Sequence, residues 1–211
     1  MNSNVPGCRP LGWEEARDLA RQRLKALPPA AKRIEDWRAF LLGYQPRAEQ
    51  PDDACAWLTC ALALEAVAAG NFGVGAILVD EAGRVVAQGH NEVFHPYFRS
   101  DRHAEMVVMD RWEDDHPESP SMEGFTLYTS LEPCPMCLVR LATSAVRKVL
   151  HVALDPPGGM VERMKDLPPF WAGLAKGKTF GPARCSADLT HAADQLFVLT
   201  LEEVTARVKA R

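Results

Sequence analysis

The sequence predicts a layered α/β domain with helices on both faces of a mixed sheet. Three observations point to it. From residue 51 onward, helical and strand-like patterns follow the order α-β-β-α-β-α-β-α. The first two strands, 74–79 and 84–89, are joined by the short turn Glu81-Ala82-Gly83, which makes them an antiparallel hairpin. The later strands are joined by helices, so they should run parallel with right-handed crossovers.

Size and composition agree. A chain of 211 residues that is 47% apolar is long enough for one full-size domain with a small appendage. The net charge of −4 gives no general basic footprint for nucleic acid. Residues 1–10 have no charged segment followed by an apolar run, so no secretory signal is expected, and the sequence reads as a frayed start. The longest apolar stretch, 54–70, carries Glu65, so no membrane span is expected. A reducing cytoplasm follows as the expected compartment for the six cysteines, free or metal-bound: Cys8, Cys55, Cys60, Cys134, Cys137 and Cys185. Cys55 and Cys60 read as small helix or core residues.

Residues 13–27 repeat apolar side chains at helical spacing (Trp13, Ala16, Leu19, Ala20, Leu24, Leu27), and Pro28-Pro29 stops them. A second short helix over 31–42 buries Ile34, Trp37, Phe40 and Leu41. These elements make residues 1–50 a helical hairpin extension, too small to hold a core alone, that should lie against the main domain of 51–211 or a partner subunit. Asp52 or Asp53 suits the N-cap of the next helix, whose Ala, Leu, Cys, Trp and Val content marks it as packed on most sides. After the hairpin, a helix over 103–112, a strand over 125–129, a helix over 134–144 and a strand over 148–153 are expected. Residues 161–166 are ambiguous, and a last helix starts at Ala187. Residues 197–201 either finish that helix or form a short edge strand.

The chemistry concentrates in two short pieces, His103-Ala104-Glu105 and Pro133-Cys134-Pro135-Met136-Cys137. One imidazole and two thiolates are a zinc donor set, and three protein ligands leave a tetrahedral corner open, as in catalytic rather than structural zinc. A structural site would want a fourth Cys or His; Cys55, Cys60, Cys185, His95 and His151 are present, but none has a paired spacing. A redox reading of the C-x-x-C does not account for the accompanying H-x-E. Zinc makes hydroxide available at neutral pH, and Glu105 is placed where a carboxylate could handle the protons of that water. His103 and Cys134 each open a helix, where the partial positive charge favours thiolates. Asn91, between the second strand and the metal helix, reads as an amide that contacts the substrate.

The stretch from about 54 to 155 resembles the cytidine deaminase-like superfamily, within the branch of tRNA adenosine, guanine and cytosine deaminases. The resemblance is carried by Val74-Gly75-Ala76-Ile77-Leu78-Val79, Gly89-His90-Asn91, His103-Ala104-Glu105 and Leu127-Tyr128-Thr129-Ser130-Leu131-Glu132-Pro133-Cys134-Pro135-Met136-Cys137. It implies a three-layer α/β/α fold with a five-stranded sheet, Zn2+ on His103, Cys134 and Cys137, and Glu105 as proton shuttle. It further implies that Asn91 and the backbone at Ala104 hold the base, and that the protein is a homodimer. Val74-Gly75-Ala76 is closer to the tRNA adenosine and cytosine enzymes. Pro135-Met136 and the tail after Asp155 are closer to guanine deaminases, in which an acidic residue near Asp166 would reach the purine edge. Arg102 replaces the small residue usual before H-A-E.

Three functions follow as expectations. The first is hydrolytic deamination of a small nucleobase, nucleoside or related heterocycle, of guanine or cytosine type. The second is tRNA adenosine deamination, which the acidic balance disfavours although the tail Arg207-Val208-Lys209-Ala210-Arg211 could touch a phosphate backbone. The third is a non-catalytic zinc module, against which Glu105 speaks.

Overall fold

The computed structural model describes residues 10–118 and 121–211. The start expected to fray, with Cys8, lies outside the described residues up to Arg9. Two helices, α1 (Trp13–Ala26) and α2 (Lys32–Gly43), precede α3 (Asp53–Ala68). Then come β1 (Gly75–Val79), β2 (Val85–His90), α4 (Ala104–Asp115), β3 (Thr126–Leu131), α5 (Pro135–Thr143) and β4 (Lys148–Ala153). A 3-10 turn (Met164–Asp166), α6 (Pro169–Ala175), β5 (Thr179–Pro182) and α7 (Ala187–Lys209) complete the chain.

The five strands make one mixed sheet in the order β2-β1-β3-β4-β5. β1 is antiparallel to both neighbours, while β3-β4 and β4-β5 are parallel. The hairpin therefore folds β1 inward, between β2 and the parallel set. All five β1 residues are buried, as expected of a strand covered on both faces. α3 and α7 cover one face and α4 the other, with α5 beside α4. Gly75 allows the α3 contact, because a Cβ there would sit 2.3 Å from the Thr59 carbonyl oxygen.

α1 and α2 join the same core through Ala16, Ala20, Leu24 and Leu41, all fully buried with Trp57 of α3. The Trp57 indole N–H donates to the Leu41 carbonyl at 2.9 Å, and Arg23 pairs with Glu65 at 2.9 Å. The hairpin thus lies against the main domain.

The start of α3 differs from the simple cap. Asp52 is at the N-cap position, yet no side chain caps the helix. Instead, Asp52 accepts from the Tyr128 hydroxyl (2.9 Å) and the Arg184 N–H (2.7 Å). Asp53 accepts from the Ser186 N–H (2.7 Å), the Arg47 N–H (2.8 Å) and the Tyr44 hydroxyl (2.7 Å). Both carboxylates tie distant segments together in place of capping.

Two elements carry no clear sequence pattern. β5 has four residues, Thr-Phe-Gly-Pro, whose glycine and proline suit an edge strand. α6 has seven residues and follows Pro168. Residues 197–201 lie inside α7, which runs on to Lys209, and form no strand. Among the described residues no helix is long and apolar enough to cross a membrane.

Candidate active site

α4 and α5 present their N-termini at the same end of the sheet. His103 is the N-cap residue of α4 and Cys134 that of α5, both in extended backbone conformation. Pro135 occupies the first turn of α5, where a missing N–H costs nothing. Cys137, one turn on, is buried.

The ligand atoms of His103, Cys134 and Cys137 all lie within 4.8 Å of one another. His103 Nδ1 is 3.6 Å from Cys134 Sγ and 3.5 Å from Cys137 Sγ. Zinc bonds of about 2.3 Å to sulfur and about 2.0 Å to nitrogen, at a tetrahedral angle, hold N and S about 3.5 Å apart. These separations are therefore those of ligands sharing one ion, and the donor set fits Zn2+. Cys137 first, and the imidazole of His103 after it, bring the Cys134 thiol down to about 4. The thiolate is the metal-binding form.

Glu105, in the first turn of α4, is buried, with Oε2 3.5 Å from Cys137 Sγ. Burial, and then the charge on Cys134, push its carboxyl above the usual range. A carboxyl moved toward neutrality is better matched to accept a proton and give it back.

His103, Cys134 and Glu105 line a cavity of about 140 Å³. Phe72, Val74, Leu131 and Phe197 supply apolar wall, and Asn91, Ala104, Glu105, Glu132 and Asp155 the polar groups. The buried Asn91 accepts from the Val93 N–H through Oδ1 (3.1 Å), which leaves its Nδ2 as a free donor among the described residues. Ala104 opens α4, where first-turn N–H groups lack intrahelical partners.

Asp166 does not line this cavity; it is exposed on the 3-10 turn. The acid that the tail brings to the wall is Asp155, just past β4. Glu132, just past β3, joins it. Both follow the carboxyl ends of parallel strands, where open α/β sheets place their ligands, and that rule could have found them.

Arg102 has a structural use. It pairs with Glu92 (2.6 Å) and Asp110 (3.0 Å), and Asp110 in turn pairs with Arg140 of α5 at 2.5 Å. This network bridges the two helices that carry the donors. At the other end, Arg207 and Arg211 lie over the rings of Phe94 and Phe98, at 3.9 and 3.6 Å from their centroids.

Residues 50–153 match the family described as "Cytidine and deoxycytidylate deaminase zinc-binding region". The chain is 40% identical over 97 residues to the tRNA-specific adenosine deaminase of Bacillus subtilis, covering 43% of this chain and 54% of that protein. It thus spans about half the length of that relative. A solved structure in complex with 2,6-diaminopurine is 26% identical, covering 83% of this chain and 93% of that one, with a TM-score of 0.56. The guanine deaminase from Nitrosomonas europaea has the same fold at 22% identity, over 83% of this chain and 96% of that one, again with a TM-score of 0.56. With its sheet order, its His-Cys-Cys donors and the matched 50–153 region, the chain belongs to the cytidine deaminase-like superfamily of zinc deaminases.

Proposed function

We propose that the protein hydrolytically deaminates an amino-substituted nucleobase or related heterocycle of guanine or cytosine type. The observation that carries this reading is the convergence, at one cavity, of the His103 imidazole, the Cys134 thiol and the buried Glu105 carboxyl, with the Cys137 thiol directly behind them 3.5 Å from that carboxyl. Zinc bound by His103, Cys134 and Cys137 supplies a nucleophile at neutral pH by lowering the pKa of water from about 15.7 to about 7.

The chain's own residues do the rest. Asn91 Nδ2 and the Ala104 N–H donate to a carbonyl oxygen of the base and fix its orientation. Phe72 and Phe197 hold the ring and keep bulk water out. Glu105 takes a proton from the attacking water at Oε2. It passes protons to the ring nitrogen and to the departing amine, so water and the amino compound become a carbonyl compound and ammonia.

The identity to a tRNA-specific adenosine deaminase supports a second reading, deamination within RNA. The tail arginines weigh against it, because Arg207 and Arg211 are already stacked on Phe94 and Phe98 instead of standing free for phosphates.

Ammonia release from guanine, cytosine, cytidine, adenosine and an anticodon stem-loop separates the two. Release from the small heterocycles is the expected result; release from the RNA alone overturns the ranking. Glu105→Gln should keep zinc and fold while turnover falls about 10²–10⁴-fold, the usual share of general acid-base catalysis. A fully active Gln variant removes Glu105 from the mechanism.

A further inference from the structure

Beyond the metal donors, α4 and α5 are joined a second time, by charge. Asp110 lies seven residues after His103, nearly two full turns along α4, so the two share one flank of the helix. Arg140 lies three residues after Cys137, about one turn along α5. Asp110 uses both carboxylate oxygens. Oδ1 accepts from Arg140 Nη1 at 2.5 Å, and Oδ2 accepts from Arg102 Nη1 at 3.0 Å.

Each arginine has a second hold. Arg140 Nη2 donates to Glu113 of α4 at 2.8 Å. Arg102 Nη2 donates to Glu92 at 2.6 Å, and the Arg102 carbonyl accepts the Glu92 N–H at 2.9 Å. Arg111 adds another cation to Glu92 at 2.9 Å. Glu92, Asp110 and Glu113 thus balance Arg102, Arg111 and Arg140 in charge. A lone surface pair contributes little, but a network of two-handed arginines holds a geometry. The planar guanidinium fork fixes both distance and direction, which an ammonium does not.

The ends of this chain of charges fall beside the donors. Arg102 is the residue before His103, and Arg140 is a turn past Cys137. The donors come from two helices, yet His103 Nδ1 must stand 3.6 and 3.5 Å from the two sulfurs. Hydrogen bonds within α4 or α5 fix each ligand to its own helix and not the helices to each other. We propose that Asp110 is a positioning residue for the metal centre: by clasping Arg102 and Arg140 at once, it sets the spacing at which His103 meets Cys134 and Cys137. Asp110 does not line the cavity, so it acts through the helices that carry the donors. The proposal rests on the metal site and is independent of which substrate is deaminated.

The test reads the metal and not turnover. Zinc affinity of the full chain is measured by competition with a chromogenic chelator. Co2+ loaded in place of zinc is followed by its visible absorption, which reports the arrangement of the donors. Asp110→Asn keeps the size and removes the charge. Its zinc affinity should fall about 10–100-fold, the usual cost of losing an outer support of a metal site, and its cobalt bands should weaken and shift. Asp110→Glu, which retains two acceptor oxygens, should recover part of the loss. Glu65→Gln is the control. It breaks the part-buried Arg23–Glu65 pair on α3, across the sheet from α4, and should leave affinity and spectrum at wild-type values whatever it costs in chemical denaturation. Arg102→Met and Arg140→Met each cut one arm. Each should weaken zinc binding, and the double variant should lose less than the product of the two, because both act through Asp110.

An Asp110→Asn protein whose zinc affinity and cobalt spectrum match those of Glu65→Gln overturns the proposal. If the Asn chain does not fold, the arginine variants decide: unchanged zinc affinity in both, or losses that multiply in the double variant, overturn it equally.

Discussion

Two stretches of the cavity lining, which meet at Pro133, are made by different means. On the metal side, side chains do everything: His103, Cys134, Cys137 and Glu105 project from the first turns of α4 and α5, and one atom of each matters. On the loop side, after β4, backbone does most of the work. The 155–162 loop is shaped by N–H groups donating to Glu132 and Asp155, and by a glycine that only a missing Cβ allows so near. The metal wall should therefore fail through its chemistry and the loop wall through its shape.

The largest effect should come from the metal wall. Cys134→Ser removes the thiol most readily ionised at neutral pH, and zinc bound per chain, read by atomic absorption, should drop from one equivalent to a small fraction. Turnover should vanish with it. Full zinc in this variant would break the contrast. A smaller effect belongs to the loop wall. Gly159→Ala forces the loop away from Glu132 and should cost about 1–3 kcal/mol in chemical denaturation, as overpacking does. Zinc content should be unchanged and KM for the base raised.

The smallest effect on turnover should come from outside both walls. Tyr44→Phe deletes the hydroxyl that donates to Asp53 and meets Ser186 at 2.5 Å, and should cost about 1–2 kcal/mol with kcat/KM unaltered. Acid unfolding gives its signature. Burial acts to raise the Asp53 pKa, but the amides of Arg47 and Ser186 and the Tyr44 hydroxyl outweigh it and hold the group below the ordinary value. A depressed carboxyl contributes stability that is complete above its unfolded pKa, about 3.9, and is lost as pH falls through the folded one. Removing the hydroxyl should move the acid-unfolding midpoint upward, and an unmoved midpoint would deny Asp53 that role.

The same division explains what the sequence could reveal. The metal wall is legible because its ligands fall in contiguous motifs whose spacing is imposed by a helix start. β1 to β4 are legible because their apolar runs are bounded by turn residues. The loop wall is not, because the pattern points to Asp166, which the chain leaves exposed, while the loop's shape comes from a buried glutamate pairing with amides more than twenty residues away. β5 escaped notice because four residues containing glycine and proline show no alternation. Asp52 and Asp53 read as caps because their distant partners, Tyr128, Arg184 and Ser186, are invisible locally.

That last arrangement has a bearing on biosynthesis. Asp53 and Ser186 are 133 residues apart. At about 5–20 residues per second, a ribosome needs roughly 7–27 s to supply the second after the first. Until that stretch is made, Asp52 lacks its Arg184 partner and Asp53 its Ser186 partner, and the sheet's edge strand β5 is missing as well. The domain should therefore resist proteases only once the segment carrying β5 and Ser186 has left the exit tunnel.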